Sequence, residues 1–228
     1  MDTVVITGAN RGIGLGLTKV FLQNHARVIA TCRNPIEAKE LQALGVNTNL
    51  SIYPLIVNDS QSIADFAEEL DGRPIDILIN NAGVIGGPRQ SLEDMDYHAW
   101  SEAFEVNTIA PFRLSATLLN NLQHSKHPRI VNVSSQMGAL SGTSAGHYAY
   151  RSSKAALNKV MQALALELDS EGIIVCNVHP GWVQTDMGGV NAQITIQESA
   201  AGLCKLIDSL TMQQTGKFFS WEGEELAW

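Results

Sequence analysis

The sequence of 228 residues lacks most signs of an extracellular or membrane protein. Its cysteines, Cys32, Cys176 and Cys204, are far apart and form no Cys-x-x-Cys pair, which argues against a disulfide framework or a zinc knuckle. No apolar run reaches the ~20 residues of a membrane-spanning helix. No basic segment followed by an apolar stretch opens the chain. We therefore expect a cytoplasmic protein with reduced thiols and no membrane partner.

Positive charge is also scarce. Lys and Arg together number 15 against 23 Asp and Glu, a formal net charge of −8. Because nucleic acids are bound through their phosphates by basic surfaces, this balance argues against a nucleic-acid partner. His124 and His127 lie near a predicted helix C-terminus without nearby acids, so we assign them to the helix dipole and predict no metal site.

Short apolar strands alternate with amphipathic helices along the chain. Strands are predicted at 3–7, 27–31, 50–57, 75–83, 129–135, 173–181 and 216–221. Helices are predicted after residue 12 and at 34–44, 60–70 (capped by Ser60), 95–123, 147–170 and 198–210. Such alternation is typical of a parallel α/β sheet covered on both faces, and we expect a single domain over 1–228. Pro54 indicates the edge or end of a strand.

A glycine-rich segment, TGANRGIG, joins the first strand to the first helix. Glycines there permit a tight turn and a close approach of the backbone to a ligand, while the helix N-terminus offers free N–H groups to an anion. In this strand–loop–helix setting the segment predicts a dinucleotide pyrophosphate site, with a plain tight turn as the alternative. Its candidate cofactor residues are Gly8, Asn10, Arg11, Gly12, Ile13 and Gly14.

The end of the second strand indicates which dinucleotide binds. An acid there would bind the ribose 2′-hydroxyl of NAD, whereas an arginine accommodates the 2′-phosphate of NADP. The sequence has Arg33 and no acid in ATCRNP, and Arg11 adds a second guanidinium. Two arginines can hold a phosphate by charge-assisted hydrogen bonds, so we predict NADP(H). The alternative is that both are solvated surface residues.

Tyr150 and Lys154 lie four residues apart in YAYRSSKAALN, on one face of a predicted helix. A phenol ordinarily keeps its proton to a pH of about 10. A neighbouring ammonium favours the phenolate, so we expect Lys154 to lower the pKa of Tyr150 toward the working pH.

Several landmarks occur in an order that resembles the short-chain dehydrogenase/reductase family over nearly the whole chain. They are TGANRGIG, NNAG (80–83), VN (106–107), VNVSS (131–135), YRSSK (150–154) and HPGWVQTDM (179–187). CRNP, YAYRSSKAALN, HPGWVQTDMGG and the ending LAW are similar to sniffer-type carbonyl reductases and C-factor-like proteins of that family. The resemblance implies a Rossmann-type doubly wound sheet of about seven strands, in the order 3-2-1-4-5-6-7.

The resemblance also implies four catalytic roles. Tyr150 matches the general acid/base, and Lys154 its partner, which also holds the nicotinamide ribose. Ser135 matches the serine that orients the substrate, and Asn107 the residue that holds a water in a proton relay to the lysine. Strand alternation places Ser134 and Ser135 on opposite faces, so only one of them can point into the site.

Further cofactor contacts follow from the same resemblance. The turn beside the adenine ribose is matched by Asn81, Ala82 and Gly83, and the nicotinamide segment by Pro180, Gly181, Val183 and Thr185. The acid that many members place after the third strand, against the adenine, is replaced here by Ile56 or Val57, and Asp59 stands slightly late.

We therefore predict an NADPH-dependent oxidoreductase that reduces aldehydes or ketones to alcohols. The loops at 84–91 and 186–195 follow central strands and are candidates for substrate contact. Met137, Leu140 and His147 are candidate pocket residues, and Trp182 either touches the substrate or packs. The alternative is a dinucleotide-binding signalling protein with little turnover, resembling the C-factor. Family members commonly pair through the helices at 95–123 and 147–170, which implies a homodimer or a homotetramer.

Overall fold

The structure is a computed structural model that describes residues 1–46 and 49–228. Within these residues one sheet contains the strands β1 (Thr3–Ile6), β2 (Arg27–Cys32), β3 (Leu50–Pro54), β4 (Ile77–Asn80), β5 (Arg129–Val133), β6 (Ile174–His179) and β7 (Phe218–Ser220). The spatial order is β3-β2-β1-β4-β5-β6-β7, and every neighbouring pair is parallel. The predicted fold class and strand order are confirmed.

Helices cover both faces of this sheet. They are α1 (Gly12–Gln23), α2 (Lys39–Gln42), α3 (Ser60–Leu70), α4 (Tyr97–Phe104), α5 (Ala110–Thr117), α6 (Leu119–Gln123), α7 (Tyr148–Leu168) and α8 (Ile196–Ser209). A π-helical turn, Glu105–Ile109, joins α4 to α5, so the helical region predicted at 95–123 consists of several segments. None of the described helices is both long enough and apolar enough to cross a membrane.

Successive residues of the central strands enter two separate apolar cores. Val4 and Ile6 of β1 pack with side chains of α1 and α8, while Val5 between them packs with side chains of α3, α5 and α7. Because both faces are covered, apolar residues follow one another along these strands instead of alternating with polar ones. Each fully buried aliphatic side chain contributes roughly 1.5–3 kcal/mol, which fixes the sheet as the rigid base of the site.

Two local predictions are wrong. The single helix expected at 34–44 is instead a 3₁₀ turn at Pro35–Glu37, the short helix α2 and a second 3₁₀ turn at Ala43–Val46. The break lies at Ala38, whose ψ of 60° is not helical. Helix α3 is capped by Asp59, which accepts from the N–H groups of Gln61 and Ser62, and not by Ser60. Asp59 is therefore committed to the helix N-terminus.

The predicted position of Pro54 is confirmed, since it is the last residue of the edge strand β3. The strand order reverses at β1, where β2 leads to one side of the sheet and β4 to the other. In open parallel sheets, ligands bind beyond the carboxyl ends of the strands at such a switch point. The loops that follow β1, β4, β5 and β6 all emerge at this edge.

Candidate active site

The glycine-rich loop lies at the switch point, between β1 and α1. Gly8 and Gly12 have φ angles of 64° and 55°, which glycine adopts without steric cost. Gly14 packs so closely that an added Cβ would collide with the carbonyl oxygen of Gly8. In the described part of the chain, no side chain caps α1 at its N-cap residue Arg11. The first N–H groups of α1 are therefore free to bind an anion.

Asn81 ties this loop to the turn after β4. Its Nδ2 donates to the carbonyl oxygens of Thr7 at 2.8 Å and Gly8 at 3.2 Å. The backbone N–H groups of Asn81 and Ala82 donate to Thr7 Oγ1 at 2.9 and 3.0 Å. A Cβ added at Gly8 would lie 3.0 Å from the Cα of Ala82, so the two turns are in direct contact. The side chain of Asn81 thus holds the loop itself.

Lys154 is buried in α7, with 4% of its surface exposed. Its Nζ donates to the carbonyl oxygen of Val133 at 2.7 Å and lies 5.8 Å from the ring centroid of Tyr150. Burial lowers the pKa of Lys154 from 10.5 to about 8. The predicted proximity of the amine and the phenol is present, and the lowered pKa leaves the amine mostly protonated at neutral pH but easier to deprotonate than a free lysine.

The predicted lowering of the Tyr150 pKa is wrong for the protein without bound ligands. Burial raises the pKa of Tyr150, and a hydrogen bond with Ser135 offsets the rise only in part. Desolvation disfavours the phenolate, while the ammonium of Lys154 is directed at the carbonyl oxygen of Val133. The phenol therefore keeps its proton at neutral pH, which is the state a general acid requires.

The two serines after β5 bind different partners. Ser134 Oγ donates to Asn158 Oδ1 of α7 at 2.6 Å, inside the core. Ser135 caps a 3₁₀ turn at Gln136–Gly138 by accepting from the N–H of Met137, and its hydroxyl also reaches Tyr150. Of the two serines, Ser135 is therefore the one that lies beside Tyr150.

Asn107 lies fully buried in the π-helical turn. Its Oδ1 accepts from the N–H of Val84, and its Nδ2 donates to the carbonyl oxygen of Val84 and to Ser153 Oγ, at 2.8 to 2.9 Å. A Cβ added at Gly83 would lie 3.2 Å from Asn107 Oδ1 and 3.6 Å from Lys154 Nζ, so these three residues meet. Both amide hydrogens of Asn107 are engaged, and a water relay through this residue would have to use its oxygen atoms as acceptors.

The segment after β6 folds back toward the glycine-rich loop. Gly181 has a φ of 86°, and Val183 forms a bridge with Ile194. Thr185 accepts from the N–H of Gly188 at 3.1 Å, and its Cγ2 would lie 3.4 Å from a Cβ added at Gly12. Pro180, the first residue of the segment, is held through its carbonyl oxygen by Ser199 of α8 at 2.7 Å. The predicted nicotinamide segment and the phosphate loop are thus neighbours.

The two predicted phosphate-binding arginines have different surroundings. Arg33 is exposed at the end of β2, and the hydrogen bonds and ion pairs of the described residues leave its guanidinium without a partner. Arg11 is also exposed, and its Nη1 pairs with Asp186 Oδ2 at 2.7 Å. An exposed pair of this kind contributes about 0–1 kcal/mol, so Arg11 can exchange Asp186 for another anion at little cost.

The candidate pocket residues are exposed to different degrees. Leu140 is 85% exposed and Trp182 is 50% exposed, with its Nε1 donating to the carbonyl oxygen of Gly188. His147 is the exposed N-cap residue of α7, and Met137 is half-buried. At the predicted adenine position, Ile56 is 42% exposed.

Sequence reasoning missed two residues that organise the site. Gln90 accepts from the N–H of Ala149 in the first turn of α7, and Ser153 links Asn107 to the carbonyl oxygen of Tyr150. Both act through contacts between segments that are 46 or more residues apart. No sequence motif marks such contacts.

The comparisons with known proteins agree with this geometry. A sequence profile described as short chain dehydrogenase matches residues 2–194. The chain belongs to this family. Among curated relatives, the C-signal of Myxococcus xanthus is 40% identical over 164 residues, which cover 72% of this chain and 98% of that protein. The predicted resemblance to this family and to its sniffer-type and C-factor-like members is confirmed.

Solved structures of other family members are also similar. The NADPH-bound carbonyl reductase from chicken fatty liver has a TM-score of 0.91 and 36% identity, with 100% of this chain and 99% of that chain covered. The carbonyl reductase Sniffer of Drosophila melanogaster has a TM-score of 0.92 and 32% identity, with both chains covered completely. Among residues 1–46 and 49–228, this family member has no group of three or more His, Cys, Asp or Glu side chains that could hold a metal ion.

Proposed function

We propose that this family member is an NADPH-dependent carbonyl reductase that converts aldehydes or ketones into alcohols. The observation that carries the proposal is the meeting of Tyr150, Ser135 and Lys154 at the carboxyl edge of the sheet. Gly83 lies beside the buried amine, and the adjacent Ala82 packs against Gly8. The phenol, the hydroxyl and the amine are therefore close to the glycine-rich loop. A purely structural role would not need a protonated phenol and a buried amine at the mouth of a nucleotide crevice.

The residues present fit a phosphorylated dinucleotide. The N-terminus of α1, which no described side chain caps, and the positive φ angles of Gly8 and Gly12 suit a pyrophosphate. The guanidinium of Arg33, which has no partner among the described residues, and the exchangeable Arg11 suit a 2′-phosphate. The chicken carbonyl reductase, a close structural neighbour, is NADPH-bound. We propose that Asn81, Gly83 and Thr185 belong to the same cofactor site.

When bound, NADPH supplies the hydride that the carbonyl carbon of the substrate receives. In the proposed mechanism, Tyr150 transfers its phenolic proton to the carbonyl oxygen, so that the product is a neutral alcohol. Ser135 donates a hydrogen bond to that oxygen and stabilises the negative charge that develops on it. Lys154, whose pKa is about 8, then returns a proton toward the phenolate. Asn107 holds the turn that contains Gly83 beside this lysine.

A second function is supported by one specific observation, the 40% identity to the C-signal. Under that alternative the dinucleotide site would serve signalling, with little turnover. A screen of NADPH oxidation with aldehydes, ketones and quinones discriminates between the two functions. Tight NADPH binding without turnover of any of these compounds would favour the signalling role.

Replacing Tyr150 by Phe tests the mechanism directly. We expect kcat to fall by a factor on the order of 10²–10⁴, because general acid catalysis contributes about that much. The NADPH dissociation constant should stay nearly unchanged in a fluorescence titration. Tyr148→Phe is the matched control, since Tyr148 lies on the same helix but is 42% exposed. Retained turnover in Tyr150→Phe would remove Tyr150 from the mechanism.

A further inference from the structure

The loop after β4 is joined to the first turn of α7 by one side-chain amide. Gln90 Oε1 accepts from the N–H of Ala149 at 2.9 Å. Gln90 Nε2 donates to the carbonyl oxygens of Ile85 at 2.8 Å and Gly87 at 2.9 Å. The two amide hydrogens and the amide oxygen all have partners of the correct kind, which fixes the orientation of this amide.

The first turn of α7 needs such a partner. Its N-cap residue, His147, has a φ of 51° and makes no side-chain cap hydrogen bond with the described residues. Ala149 is fully buried, so water cannot satisfy its N–H. Leaving a buried donor unpaired costs about 1–3 kcal/mol. The side chain of Gln90 therefore supplies, from 59 residues away, the cap that the helix itself lacks.

The loop backbone also packs against the same residue. Gly86 is buried with a φ of 87°, and a Cβ added there would lie 2.6 Å from the Cβ of Ala149. No side chain fits in this gap, so the loop can sit on the helix only with glycine at this position. Tyr150 directly follows Ala149, and a displacement of this turn displaces the phenol.

The other end of the loop leads to the same turn. Val84 is held through both its N–H and its carbonyl oxygen by Asn107, which also donates to Ser153 Oγ at 2.9 Å. Ser153 Oγ in turn donates to the carbonyl oxygen of Tyr150 at 2.9 Å. Both ends of the segment 84–90 are thus connected to the residues around Tyr150 by hydrogen bonds.

We propose that Gln90 is a positioning residue that couples the loop 84–90 to the placement of Tyr150. The proposal rests on the proposed carbonyl reductase function. Gln90 does not touch the reacting atoms. It caps the turn that holds the phenol and at the same time fixes the loop 84–90, which the sequence marks as a candidate for substrate contact. The loop 84–90 and the general acid Tyr150 therefore become ordered together.

Two substitutions separate the two parts of this role. Gln90→Met removes both the acceptor and the donors, and it should lower kcat about ten- to hundredfold, because small misplacements of a catalytic group have effects of that size. Gln90→Glu keeps the acceptor for Ala149 but loses the donors to the loop. A carboxylate is also favourable near a helix N-terminus. We expect Glu to restore kcat to within about threefold of the wild type while KM stays raised, since the helix is capped and the loop is loose.

The assay uses NADPH and 4-nitrobenzaldehyde as the carbonyl probe, with NADPH binding followed by fluorescence. The matched control is Gln214→Met, because Gln214 Oε1 also accepts a backbone N–H, that of Thr211 at 2.9 Å, in the 3₁₀ turn Met212–Gln214 that precedes β7 at the edge of the sheet. Gln214→Met should leave kcat and KM unchanged. Equal losses in Gln90→Met and Gln214→Met, or equal losses in Gln90→Met and Gln90→Glu, would overturn the positioning role.

Hydrogen exchange of the free protein tests the coupling without any activity. Gln90→Met should speed exchange in both 84–90 and 147–153, and Gln90→Glu should do so only in 84–90. If the wild type turns over no carbonyl compound, the proposed function fails while the exchange result still decides whether the coupling exists. Unchanged exchange in both segments of Gln90→Met, together with normal kcat in an active enzyme, contradicts the proposal.

Discussion

Replacing Lys154 by methionine tests how much the burial of its ammonium destabilises the folded protein. The folded protein lowers the pKa of this amine from 10.5 to about 8, and burial is the cause. One pKa unit corresponds to about 1.4 kcal/mol, so keeping the ammonium at neutral pH costs roughly 3 kcal/mol of stability. The cost disappears once both the folded and the unfolded protein have lost the proton.

The sign of the pH dependence follows from proton counting. Between pH 8 and pH 10.5 the unfolded chain binds more protons at this lysine than the folded protein does. Stability therefore rises with pH in this window. Relative to Lys154→Met, the wild type should gain about 2–3 kcal/mol between pH 7 and pH 10. Below pH 8 the difference between the two proteins should stay nearly constant.

The assay is urea unfolding of both proteins at pH 7, 8, 9 and 10. The difference between their unfolding free energies is used, since it removes the titration of all other groups. Lys159→Met is the control, because Lys159 is an exposed lysine of the same helix, and its curve should run parallel to that of the wild type. Parallel curves for Lys154→Met and the wild type would refute the buried, pKa-shifted amine and, with it, the proton-return role proposed for Lys154.

Two further predictions concern the cofactor and acid stability. Arg33→Ala should raise the NADPH dissociation constant about tenfold or more and leave that of NADH unchanged, since one charge-assisted contact to the 2′-phosphate is lost. Arg27→Ala, at the opposite end of β2, is its control in the same fluorescence titration, and equal effects on both cofactors would contradict the assignment. Burial lowers the pKa of His179 from 6.5 to about 4, so the folded protein should lose at most about 3 kcal/mol as the pH falls from 6.5 to 4. Urea unfolding of His179→Gln should lack most of this loss, and an identical acid profile would argue against a buried neutral imidazole.

Much of the fold could be predicted because its signals are local. Seven short apolar runs, all but the last followed by a helical pattern, leave few topologies for a parallel sheet. The prediction at 34–44 was wrong because the amphipathic pattern does not reveal that Asn34 starts a 3₁₀ turn and that Ala38 leaves the helical region. Asp59, and not Ser60, caps α3 because its carboxylate accepts hydrogen bonds from two N–H groups of the helix. This geometry is visible only once the chain is folded.

The polar core under the site lay beyond sequence reasoning. Asn80, Asn132 and Asn177 occupy paired positions on β4, β5 and β6. Each donates to the next, and Asn177 donates to Asn158 of α7, one turn after Lys154. Such a row depends on strand register, which single strands do not determine. It ties the helix that carries Lys154 and Tyr150 to the three central strands.

The sequence by itself determined the order of strands and helices, the glycine-rich loop, and the residue types Ser135, Tyr150 and Lys154, because spacing and side-chain chemistry are properties of the chain. Only the tertiary structure decided the protonation of the site. Burial raises the pKa of Tyr150 and lowers the pKa of Lys154, since the solvation of a charge depends on everything packed around it. Only the fold, likewise, brought Gln90 to the first turn of α7, because a contact across 59 residues exists only once both segments are in place.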